Sequence, residues 1–247
     1  MEKIKKKVLF IDVGSHECQE IKALTQSSIY LAIIYLKRYL LNWFVKGLLV
    51  PSTSEFINFL KIRNELIKKV DFSFVAIEPN WRHFNNKIYK KLNHVFCFGL
   101  QKMDNNFKIK YLSFKSQKKN DQGASLFKTP DHINLSEAIP VLDTDYFCRN
   151  VLQVILDKYD HNQSPKMFLR LNCEGTEDDV IYSVNKFFSK QLAGILGSLD
   201  DVEKKKGAIK ANDLENYLHL NTINFCKFSS NMSTWPNAIR FLKNKLK

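Results

Sequence analysis

Three short polar stretches, each at the end of an apolar run, hold the side chains of this chain best suited to chemistry. They are Asp12-Val13-Gly14, Glu78-Pro79-Asn80 and Asn172-Cys173-Glu174-Gly175. A glycine directly after a buried strand permits a tight turn and a close approach of the backbone to a ligand. The helix that follows offers unbonded N–H groups to polar or anionic groups. An acid at the end of the next strand, here Glu78, is the group that accepts from a ribose diol in nucleotide-binding folds. Glu174 adds a carboxylate able to take a proton. Each signal also has an ordinary alternative. A D-x-G can simply turn the chain, an E-P can simply start a loop, and Glu174 can simply cap the following helix.

These residues need elements to position them. Val8 to Val13 and Phe72 to Ile77 are apolar without polar alternation, as strands covered on both faces require. His94 to Leu100 reads as a third strand, Phe107 to Phe114 as a fourth and more exposed one, and the run ending at Asn172 as another buried one. Leu192 to Leu199 and Ile223 to Ser229 supply two more. Helical patterns lie between them. One runs from Gln19 to about Val50 and is very apolar; the next opens with a capping box, Ser52 to Glu55. Others cover Asp145 to Tyr159, Glu177 to Leu192 with acids at its favourable end, and an amphipathic tail from Trp235. Lys115 to His132 reads as a long polar loop. Alternating strands and helices predict one α/β domain with a mostly parallel sheet, helices on both faces and an extra helix in the 21–70 crossover. Ligands of such sheets bind beyond the C-terminal strand ends, where the three polar turns would meet.

The stretches FIDVGSHECQEI, FVAIEPN, QGASLF, IPVLDTDYF and LRLNCEGTEDDVI resemble, in this order, successive motifs of the FkbM-type S-adenosylmethionine-dependent methyltransferases. The resemblance covers residues 8–184, with an interruption; residues 185–247 match less well. It implies a class I methyltransferase fold, a Rossmann-like seven-stranded sheet that binds S-adenosylmethionine. It also implies methylation of a hydroxyl on a sugar, a glycan or a related metabolite. Under that resemblance Asp12, Gly14 and His16 would line the methionine end of the cofactor. Glu78 would hold the ribose hydroxyls with Asn80 nearby, and Gly99 and Leu100 would lie near the adenine. Asn172 and Glu174 would face the sulfonium and the acceptor, with Glu174 as the base and His16 or Asp145 as alternatives.

Four departures from the family pattern stand out. Cys18 occupies the place of a second glycine. Asn172 replaces the aspartate of K-x-D-x-E-G, removing a negative charge where a sulfonium would want one. The 21–70 crossover is long, and LAGILGSLDDVEKKKG stands where many members carry a strand ending in glutamate. The first two keep open a module that binds S-adenosylmethionine without turnover.

At 247 residues the chain suits one domain, and its net charge of +13 invites a nucleic-acid partner. Only six of the 38 basic residues are arginine, the side chain best suited to phosphate and base edges. No N-P-P-Y tetrapeptide is present either, so a nucleic-acid methyltransferase is the lesser alternative. The five cysteines show no C-x-x-C pair and no zinc spacing, so no metal is expected. Their odd number without a signal segment predicts reduced thiols and a cytoplasmic location. The stretch from Ile29 to Val50 is interrupted by Lys37, Arg38 and Lys46, which disfavours a membrane span. It has two readings. It is a helix buried between the sheet and the next helix, or it presents Trp43, Phe44 and its tyrosines to an anionic membrane near a lipid-linked acceptor.

Overall fold

Strand β1 (Lys6–Val13) is buried from Val8 onward and forms the centre of the sheet, because neither of its faces is polar enough to meet water. The computed structural model describes residues 5–42, 49–104, 107–116, 133–159, 164–228 and 232–246. After β1 come α1 (Gln19–Thr25), α2 (Ser28–Leu41) and α3 (Thr53–Lys69), then β2 (Val70–Ile77). Next are β3 (His94–Phe96), β4 (Gly99–Gln101), β5 (Ile109–Ser116) and β6 (Ile133–Asp143). A helix follows in two pieces, α4 (Thr144–Phe147) and α5 (Gln153–Leu156), joined by a π-helical turn over Cys148–Leu152. The chain closes with β7 (Lys166–Leu171), α6 (Glu177–Phe188), β8 (Leu192–Gly197), α7 (Asp200–Lys206), α8 (Ala208–Leu220), β9 (Phe225–Lys227) and α9 (Trp235–Lys245).

The fold is α/β. Its main sheet has the order β3-β2-β1-β7-β8-β9, and every pairing within it is parallel. Among the described residues this sheet carries six strands rather than the expected seven. The difference lies in the middle of the chain. The run from His94 to Leu100, expected as one strand, divides after Phe96: β3 pairs with β2, whereas β4 pairs with β6 in a separate sheet ordered β4-β6-β5. That run is apolar throughout, so its periodicity carries no mark of the break. β6 was not expected as a strand, and Pro140 within it explains why. Pro140 lies opposite Tyr111 of β5, and the β4 ladder begins one residue later at Val141, so the missing N–H falls outside that ladder. Most of the expected loop from Lys115 to His132 lies outside the described residues.

Helices cover both faces. Val8, Phe10 and Phe168 share one core with Ile21, Phe56, Phe59, Trp235 and Ile239, beneath α1, α3 and α9. Leu9, Ile11 and Leu169 share the other with Phe147, Leu152, Val180 and Leu214, beneath α4 to α6 and α8. The expected single helix from Gln19 to Val50 is instead broken at Gln26, whose backbone is extended. Ser27 then caps α2 by accepting from the Tyr30 N–H. Arg63 of α3 makes the break tolerable. Its buried guanidinium donates to the carbonyls of Ala23 (2.8 Å), Leu24 (2.9 Å) and Gln26, satisfying the exposed end of α1. The capping box read at Ser52 and Glu55 is present in full. No helix among the described residues is long and apolar enough to cross a membrane.

Candidate functional site

The three polar turns do meet at one edge, because β2, β1 and β7 are neighbours running in the same direction. Val13 lies opposite Ile77 on one side and Leu171 on the other. The turns are then tied together by backbone. The Gly14 N–H donates to the Ile77 carbonyl (2.9 Å), and the Asn172 N–H donates to the Val13 carbonyl (3.0 Å). Gly14 has φ +71°, and a Cβ there would overlap the Asn172 carbonyl. The glycine is therefore required by the close crossing of the β1 and β7 turns, whatever ligand they hold.

Glu78 links the first two turns. Its Oε2 accepts from the His16 N–H (2.7 Å) and its Oε1 from the Asn80 N–H (2.9 Å). The His16 ring lies 4.0 Å from that of His83, centroid to centroid, and the His16 carbonyl accepts from Tyr89 Oη at 2.6 Å. Tyr89 Oη also bonds Ser15 Oγ (2.9 Å). Asn80 caps the short helical turn after it by accepting from the Arg82 N–H (3.1 Å). Three residues other than glycine hold left-handed backbone along the β1 and β7 turns, His16 (φ 43°), Cys18 (φ 51°) and Glu174 (φ 57°), beside the left-handed Gly14 and Gly175. Such conformations cost about 1–3 kcal/mol each and concentrate at functional sites.

Cys18 takes a left-handed backbone conformation that glycine would adopt without strain. Its side chain is fully buried in the core under α1, so it does not crowd the open side of the turn. Burial pushes its thiol far up, and it stays protonated.

Asp12, expected at the methionine end of a cofactor, lies enclosed against Arg170. Alternation along β1 places it on the same face as Val8 and Phe10, beneath α1, where it is fully buried. Arg170 of β7 meets it there, donating to Asp12 Oδ1 (3.0 Å) and to the Gly14 carbonyl (2.8 Å). Glu20 of α1 lies 3.4 Å from the same guanidinium. Burial raises the Asp12 carboxyl to about 7 against the pull of Arg170. Sequence reasoning overlooked this trio as a unit. The signal was present, since a lone charge inside the apolar run MFLRL needs a buried partner.

The remaining expected residues fall in different places. Asn172 and Glu174 are half-buried in the β7 turn, beside the β1 turn. Burial, with Asp201 next, raises the Glu174 carboxyl to about 7 against Lys205 and Lys204. Glu174 was weighed as a cap for the next helix; the N-cap residue, Thr176, makes no side-chain capping bond, and Glu177 instead braces the turn that precedes the helix. Its carboxylate accepts from Cys173 N–H (2.8 Å) and Gly175 N–H (2.9 Å). Gly99 and Leu100 sit in the second sheet as β4, and the Leu100 side chain is packed in the core. Asp145 is bound by Lys102 (2.7 Å), Lys186 (2.8 Å) and Ser183 (2.6 Å). Burial pushes its carboxyl up, but these bonds outweigh it and hold it well below the usual range, so Asp145 is unsuited as a base near neutral pH. Among the described residues, no group of three or more His, Cys, Asp or Glu side chains could hold a metal ion.

Comparison of the chain with family models, with curated proteins and with solved structures finds no match in any of the three.

Proposed function

We propose that this chain is an S-adenosylmethionine-dependent O-methyltransferase with a Rossmann-like class I fold, acting on a hydroxyl of a sugar, a glycan or a related metabolite. The observation that carries the reading is the convergence of the Gly14, Glu78 and Glu174 turns on one edge of a parallel sheet, with the Glu78 carboxylate bonded to both His16 and Asn80. Sites of such sheets lie at this edge.

The residues fit that cofactor best at its ribose end. Two backbone N–H groups fix the Glu78 carboxylate in orientation at the end of β2, where an acid would accept from a ribose diol. At the other end the half-buried Asn172 and Glu174 supply the polar groups, since Asp12 is sealed against Arg170. S-adenosylmethionine, when bound, supplies a methyl carbon activated by its sulfonium. Glu174 takes the proton of the attacking hydroxyl, and a carboxyl titrating at about 7 is matched to that task near neutral pH. The crossed turns, fixed by backbone bonds, supply the alignment that a displacement needs.

Isothermal titration with S-adenosylmethionine tests the reading. Binding is expected, and Glu78→Ala should weaken it tenfold or more. No binding by the unaltered protein would overturn the proposal. Glu174→Gln should bind the cofactor normally but lose turnover on a glycan acceptor, and full turnover would move the base elsewhere. Cofactor binding with no turnover on any acceptor would favour the binding-module reading, which the neutral Asn172 and the sealed Asp12 support.

A further inference from the structure

Helix α2 has two apolar stripes, and only one of them is used. The inner stripe, Leu31 and Tyr35, is buried against α3. Tyr35 stacks on Phe56 at 4.1 Å and donates to the Pro51 carbonyl at 3.2 Å. The outer stripe is Ile29, Ile33, Leu36 and Leu40, at the i, i+4, i+7, i+11 spacing that aligns side chains along one face. These four are 75%, 61%, 56% and 55% exposed. The expectation of a helix buried between the sheet and α3 therefore holds only along the Leu31 and Tyr35 stripe, and most of the helix is exposed. A helix apolar all round is normally enclosed by protein, and a continuous exposed apolar row marks an interaction surface.

We propose that this outer face of α2 docks flat on an anionic lipid bilayer. Charge selects the partner. From Ile21 to Ser54 there is no aspartate or glutamate, whereas Lys22, Lys37, Arg38 and Lys46 all fall in this stretch. Lys37, exposed, flanks the aliphatic row, and the whole chain carries +13. An apolar stripe edged by cations and lacking anions is the composition of a helix lying in the headgroup region. Anionic lipids add attraction for each lysine near the surface. A second copy of the chain is a poorer occupant. A two-fold contact would set this surface against itself, Lys37 and Arg38 facing their equivalents with no carboxylate between them. The docking stands apart from the proposed chemistry, and neither requires the other.

Sedimentation of the full chain with vesicles tests it. The protein should pellet with vesicles of equal parts phosphatidylserine and phosphatidylcholine at low salt, and be released by high salt. Phosphatidylcholine vesicles alone should retain much less. Ile33→Asp, and independently Leu36→Asp, should weaken binding by roughly tenfold or more with an unchanged melting curve. Lys37→Gln should weaken it by about fivefold. Absence of binding to the mixed vesicles would overturn the proposal, as would binding that both aspartate variants retain. A concentration-dependent dimer dispersed by Ile33→Asp without lipid present would assign the face to a second copy instead.

Discussion

Two regions of this molecule invert the usual distribution of side chains in opposite ways. At the strand-end edge, charged groups are enclosed: Asp12, Arg170, Glu78 and Glu177 are all nearly inaccessible. Along α2, large aliphatic groups face water. Buried polar groups and exposed apolar rows are the informative exceptions to ordinary burial. The first kind persists only because each charge has partners in place within the fold. The second persists because nothing among the described residues covers it. One region is complete in itself; the other points outward.

The largest effect that would sharpen this contrast is expected from Arg170→Met. Two carboxylates would remain buried without their cation, at a cost of ~3–5 kcal/mol in a denaturant titration. A loss under ~1 kcal/mol would mean that Asp12 and Glu20 do not depend on the arginine. Next comes α2 itself. Leu31→Ala on its inner stripe should cost ~2–5 kcal/mol, while Ile33→Ala on the outer stripe should stay within ~0.5 kcal/mol. Comparable losses at the two positions would erase the distinction between the stripes.

The enclosed acids make a pH prediction. Burial raises Glu177 from 4.5 to about 7. Because its folded-state value is raised, the protonated form favours the native state. The stability it contributes is complete below 4.5 and is lost as pH rises through about 7. Asp12 and Glu174 shift in the same direction. Unfolding free energy should therefore fall across that window, by about 3 kcal/mol from Glu177 alone, and Glu177→Gln should flatten part of the slope. Urea titrations at several pH values would read this directly, and a flat profile in the unaltered protein would refute it. The smallest effect belongs to a site far from both regions. Ser52→Ala removes one half of the α3 capping box and should cost ~1 kcal/mol in thermal unfolding.

Much of this architecture follows from local pattern. Apolar runs such as Val8 to Val13 can be satisfied only inside a sheet, and Ser52 with Glu55 marks a helix start by short-range bonding alone. The polar turns at Gly14, Glu78 and Asn172 were legible for the same reason, since each closes a run whose burial is dictated by its own residues. Tertiary structure decided the rest. The division of His94 to Leu100 between two sheets depends on which strands lie alongside, β2 for one piece and β6 for the other. The break in the crossover helix rests on Arg63, about forty residues away in the chain, capping the end of α1. The enclosure of Asp12 required Arg170 to arrive on the neighbouring strand, |i−j| = 158 away. Sequence periodicity reports which face of an element avoids water, but not which distant group meets a buried charge, nor whether an apolar face finds a cover. Both depend on long-range packing, and at α2 the packing of the described residues leaves one stripe uncovered.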